Sequence, residues 1–154
     1  MAELKNEEIR RLLNYLRSFV DDDALSVIEE DLRSEIAGEI IREPEFLAYF
    51  PANLLDIENW HLRIISYSAM RLVQRGIKLE SVADIFRQFI EYCTLNDVII
   101  TVGAYSILGK VNKKSITLRI DVDEITDEIG KAHTVTVFFG YGNTENTIFL
   151  DLEQ

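Results

Sequence analysis

The sequence predicts an α+β fold, with about four N-terminal helices packed on one face of a C-terminal antiparallel meander of three to four strands. Three observations lead there. Up to about residue 95, apolar residues recur at steps of three and four, the period of a helix face. Beyond it they alternate and β-branched residues dominate, as in strands with one buried face. Only two prolines, Pro44 and Pro51, interrupt the 154 residues, so long regular elements are allowed. A chain of this length is expected to form a single domain, residues 1–154, with its helical part over about 1–95 and its sheet part over about 96–154.

The first helix is expected over roughly Ala2–Val20. Ile9, Leu12, Leu13, Leu16, Phe19 and Val20 share one stripe, and Glu7 is placed to pair with Arg11 on the wet side. Asp21, Asp22 and Asp23 then break the stripe. Carboxylates there accept from the free N–H groups of the next helix and suit its positive end, so the triplet reads as a cap and first turn rather than a metal site. The second helix, roughly Ala24–Ile41, turns Leu25, Ile28, Leu32, Ile36 and Ile40 inward. Pro44 stops it, because the residue before a proline avoids the α region. The short connection sets these two helices antiparallel.

Residues 44–60 gather Phe46, Tyr49, Phe50 and Trp60 around the two prolines and read as short turns. Their rings form either a satellite cluster over the helices or an exposed anchor for a partner. The third helix is expected over roughly Glu58–Arg75, with Leu62, Ile65, Ala69, Leu72 and Val73 inward and Gly76 as its left-handed terminator. The fourth, roughly Glu80–Cys93, carries Val82, Ile85, Phe86, Phe89 and Ile90 on its stripe, with Ser81 as the cap.

Asp97–Lys110 suits either a helix or a strand; the run from Val98 to Val102 favours a strand, bulged at Gly103 and hairpinned through Asn112–Lys114. Alternation places further strands at Ser115–Asp123, His133–Tyr141 and Thr147–Leu152. Ile116, Leu118, Ile120, Val135, Val137, Phe139, Ile148 and Leu150 are then expected to share one buried face under the helices.

Charge is the most uneven feature. Residues 21–58 hold twelve Asp or Glu against Arg33 and Arg42, a net of −10 in a chain whose total is −11. Within it Asp31, Glu35, Glu39 and Glu43 fall at steps of four, one ridge if the region is helical. Like charges at that spacing oppose their own helix by roughly 0.2–0.5 kcal/mol per pair. Such a ridge is expected to meet a basic partner, with Phe46 and Tyr49 beside it as apolar anchors. Neutralisation by Arg33, Arg42, Arg63 or Arg71 is the internal alternative.

The acidic balance argues against direct binding of nucleic acid or anionic membrane, both of which need basic surface. Its N-terminus is charged and amphipathic, with no apolar core of a leader segment, and no apolar run is long enough to span a bilayer, so a cytoplasmic location is expected. Cys93 is the single cysteine, and at the end of an apolar stripe it reads as a buried thiol rather than a nucleophile served by His61 or His133. Asp121, Asp123, Asp127 and Glu128 lack the glycine and terminal glutamate of a calcium loop. No metal, cofactor or catalytic residue is expected. The reading is a non-catalytic acidic binding protein that neutralises a basic protein, such as an inhibitor or immunity protein for a nuclease-type toxin. The alternative is a small hydrolase or small-ligand-binding domain with its site between helices and sheet.

Overall fold

Asp21 caps the second helix: its Oδ1 accepts the backbone N–H of Ala24 at 2.8 Å, using one of the four donors that a helix start leaves free. A computed structural model of the chain describes residues 6–17, 21–38, 53–142 and 145–153, with the side chains of the second helix described through Glu30. The chain divides into two compact units, Met1–Pro51 and Ala52–Gln154.

In the first unit, α1 spans Asn6–Leu16 and α2 spans Asp22–Gly38. The expected stripe of α1 is buried at Ile9, Leu12, Leu13 and Leu16. Glu7 and Arg11 pair at 2.7 Å on its wet side. The two helices touch.

In the second unit, β1 (Asn53–Ile57) and β2 (Trp60–Ile64) form a hairpin, followed by α3 (Ser66–Arg75) and α4 (Leu79–Leu95). Then come β3 (Gly103–Val111), β4 (Lys114–Ile125), β5 (Gly130–Phe139) and β6 (Ile148–Asp151). The fold is α+β, but the sheet is mixed and six-stranded, ordered β1-β2-β5-β4-β3-β6. The expected meander is there as β3-β4-β5; β2 joins β5 in parallel and β6 joins β3 in parallel. Both additions pair strands distant in sequence, which local periodicity does not report.

The hairpin corrects two sequence expectations. Residues 53–57 are a strand, not part of a run of turns, and the third helix begins at Ser66 rather than Glu58. Leu62 and Ile64 alternate in a strand, yet Leu62 with Ile65 and Ala69 also satisfies helical spacing, so the short strand was hidden inside the helix pattern. Gly76 does end α3 as expected. Its φ is 69°, its N–H bonds to Val73 O at 3.2 Å, and that of Ile77 to Leu72 O at 2.9 Å, the Schellman arrangement. Ser81, by contrast, does not cap α4: the helix starts at Leu79 with Lys78 in the cap position and no side-chain bond.

Packed over one sheet face, α4 buries Val82, Ile85, Phe86, Phe89 and Cys93. Rings continue from strand to helix to strand: Trp60–Phe86 at 5.7 Å, Phe86–Phe89 at 5.7 Å and Phe89–Tyr105 at 5.5 Å. The chain between α4 and β3 is not a strand; β3 begins at Gly103, whose φ of 144° suits only glycine. Residues 98–102 therefore carry no bulged strand, and Thr101 N–H is instead held by the Tyr105 hydroxyl at 2.9 Å. The β3–β4 turn, where expected, places Asn112 and Lys113 both at positive φ, the conformation that suits the twist of a two-residue hairpin.

Of the expected buried face, Ile116, Leu118, Ile120 and Val137 are buried, but Val135, Phe139 and Ile148 are exposed and Leu150 is half-buried. A register shift explains Val135. Arg119 pairs with Thr136 and Ile120 with Thr134, leaving Val135 as the extra residue of a β-bulge. Burial accordingly switches from Ala132 and Thr134 to Val137. Phe139 is the last residue of β5, and Ile148 the first of β6, the edge strand of the sheet.

Helix α3 runs beside the part of β5 that β2 leaves unpaired. Ser68 Oγ donates to the carbonyls of Thr134 and Val135 at 3.2 and 3.0 Å, and Arg75 Nη1 donates to that of Val137 at 2.6 Å. An open strand edge is a template for aggregation, and a covering helix removes it.

Candidate functional site

Two surfaces carry concentrated polar chemistry, one in each unit. The first is α2. Its sequence, Asp22 to Gly38, holds Asp22, Asp23, Glu29, Glu30, Asp31 and Glu35 against Arg33 alone. Asp22 and Asp23 are exposed in the first turn, where negative charge meets the positive end of the helix. Glu35 falls in the last turn, where the same macrodipole disfavours it, and no basic residue is present there. Asp31 and Glu35 are four residues apart on continuous helical backbone, so they share one face. Glu39, Glu43, Phe46 and Tyr49, the other residues expected at the interface, lie outside the described residues.

The second surface is the sheet face turned away from α4. Leu62 and Ile64 are fully buried on the α4 side, so alternation turns His61 and Arg63 the other way. Arg63 pairs in register with His133 on β5, and His133 with Asp121 on β4. His133 Nδ1 lies 2.8 Å from Asp123 Oδ2 and 3.0 Å from Oδ1, while its Nε2 is 3.5 Å from Asp121 Oδ2. Next to it, His61 Nδ1 is bonded to Asp56 Oδ1, and Lys131 approaches Glu124 at 3.5 Å. A cavity of about 440 Å³ opens on this face, lined by Arg63, Ile65, Asp123 and His133. Among the described residues, the Arg63 guanidinium has no hydrogen-bond or ion-pair partner.

A carboxylate on Nδ1 fixes the orientation of an imidazole and, in its neutral form, leaves the Nε2 lone pair outward. Both histidines are held in this way. Cys93 is not within their reach: it is buried beneath α4, and the sheet stands between it and both imidazoles. Burial pushes its thiol up to about 11, which suppresses the thiolate that a nucleophile needs. Among the described residues no group of three or more His, Cys, Asp or Glu could hold a metal ion, and no helix is long and apolar enough to cross a membrane.

Sequence reasoning placed Arg63 in a helix and weighed Asp121 and Asp123 only as a calcium loop, and so missed this cluster. The signal present was the polar set Arg119, Asp121 and Asp123 of the fourth strand, alternating with buried Leu118, Ile120 and Val122. What brings Arg63 and His133 to it is the parallel β2–β5 pairing. No protein-family model, no curated protein and no solved structure matches this chain.

Proposed function

We propose that the chain is a non-catalytic binding protein that neutralises a basic protein partner, the role of an inhibitor or immunity protein for a nuclease-type toxin. The observation that carries this reading is the position of Glu35. It lies in the last turn of α2, opposed by the helix dipole and by Asp31 one turn before it. Negative charge suits the start of α2, where Asp22 and Asp23 stand, and is disfavoured at its end, where Glu35 falls. A carboxylate kept where it opposes its own helix is accounted for by attraction to something outside the fold. The chain's net charge of −11 supports the same reading, since it steers cationic surfaces towards it and raises the association rate. Nuclease clefts are basic because their substrate is a polyanion, and an acidic ridge suits such a cleft.

The test is affinity capture from source cells on immobilised wild type and, in parallel, on the double variant Glu35→Lys, Glu39→Lys. The expected result is a basic protein held at low salt, released as salt rises, and lost from the variant. Equal retention on both, or binding indifferent to salt, overturns the proposal.

A further inference from the structure

We propose that the cavity on the open sheet face binds a small zwitterion, a molecule with a carboxylate at one end and an ammonium at the other. Arg63, His133 and Asp121 stand in register on three adjacent strands, β2, β5 and β4. Neighbouring strands are about 4.8 Å apart, so a cation and a carboxylate face each other across an imidazole over a backbone span on the order of 10 Å. The field of the site has one direction, positive over β2 and negative over β4.

Both ends have unused capacity. Arg63 is unpaired among the described residues, although carboxylates outnumber basic residues 27 to 16 in the chain. Its planar fork is suited to a carboxylate. At the other end, His133 donates its Nδ1 hydrogen to Asp123, and its Nε2 stands 3.5 Å from Asp121 Oδ2. That separation is longer than a good hydrogen bond, and no described donor reaches the Asp121 carboxylate more closely, so it keeps acceptor capacity for an ammonium. A simple carboxylate would be drawn to Arg63 but repelled by Asp121 and Asp123; a simple amine would meet the reverse. Only a ligand with both charges satisfies the whole row. Ile65 offers an apolar wall to the carbon chain between them, and the volume of about 440 Å³ is within the range of small-molecule sites.

The probe is 4-aminobutyrate, with butyrate and butylammonium as single-charge controls of the same carbon length. Amide and imidazole nitrogen resonances are followed by NMR on the full chain. The expected result is saturating shifts at Arg63, Asp121 and His133, including His133 Nε2, with each control at least about tenfold weaker (about 1.4 kcal/mol). Arg63→Gln and Asp121→Asn, both at solvent-facing positions, are expected to abolish saturation while keeping a dispersed, folded spectrum. Absence of saturation in the wild type, a control that binds as well as the zwitterion, or folded variants that titrate like the wild type would each overturn the proposal.

Discussion

Gly130 lies flat beneath the indole of Trp60: a Cβ at Gly130 would come within 2.6 Å of three ring carbons. The two residues are register partners in the parallel β2–β5 pair, and the indole meets Phe86 edge-on at 5.7 Å. The glycine therefore seats the first ring of the aromatic series that joins sheet to α4. Gly130→Ala is expected to destabilise the second unit by roughly 1–3 kcal/mol, the usual range for overpacking. Trp60 is the only tryptophan of the chain, so a urea titration followed by its fluorescence reads this unit directly. An unchanged midpoint would show that the indole is not seated over Gly130.

Ser68 is expected to matter through backbone atoms rather than through its own packing. Its hydroxyl meets two carbonyls of β5, those of Thr134 and Val135, and the residue is only 1% exposed. Ser68→Ala takes that donor from both acceptors, at a cost of about 1–3 kcal/mol. Differential scanning calorimetry checks this, and an unaltered transition would mean that water serves the edge as well.

Cys93 gives a pH-dependent prediction. Its thiol is raised from 9.0 to about 11 by burial, so the folded state favours the neutral form. The resulting stabilisation is complete below pH 9 and is lost as pH rises from about 9 towards 11, because the unfolded chain ionises first. Cys93→Ala removes that component, so the wild type should lose more stability than the variant across this window. A thiol reagent should label the native protein slowly, at a rate set by opening of the second unit. Parallel pH–stability curves for the two proteins, or rapid labelling at neutral pH, would contradict the burial.

The sequence made the local features legible, and these depended on neighbours within a few residues. Asp21 as cap, Glu7 with Arg11, Gly76 as terminator, the stripe of α4 and the Asn112–Lys113 turn all rest on spacing of at most six residues. The meander β3-β4-β5 followed from alternation. What alternation could not report was which distant strands meet. Trp60 with Gly130 and Tyr105 with Ile148 are pairings across long stretches of chain. The bulge at Val135 was equally silent, since Val135, Val137 and Phe139 continue an unbroken apolar alternation through it. The candidate sheet-face site shares this fate: Arg63, Asp121 and His133 are individually ordinary residues, and only the strand order assembles them. The acidic series was legible as composition, and α2 confirms a helix beneath Asp31 and Glu35.

The most direct test of the binding role is the chemical-denaturation midpoint of Glu35→Lys, Glu39→Lys, read from the helical far-ultraviolet signal. Lysine at position 35 removes the repulsion from Asp31 and places a cation at the negative end of α2, two terms of a few tenths to about 1 kcal/mol each. The midpoint is therefore expected to stay level or rise, while capture of the basic partner weakens and its salt dependence falls. A clear drop in the midpoint, with partner capture unchanged, would mean that the carboxylates are held by cations of the protein itself, and the ridge would be structural rather than an interface.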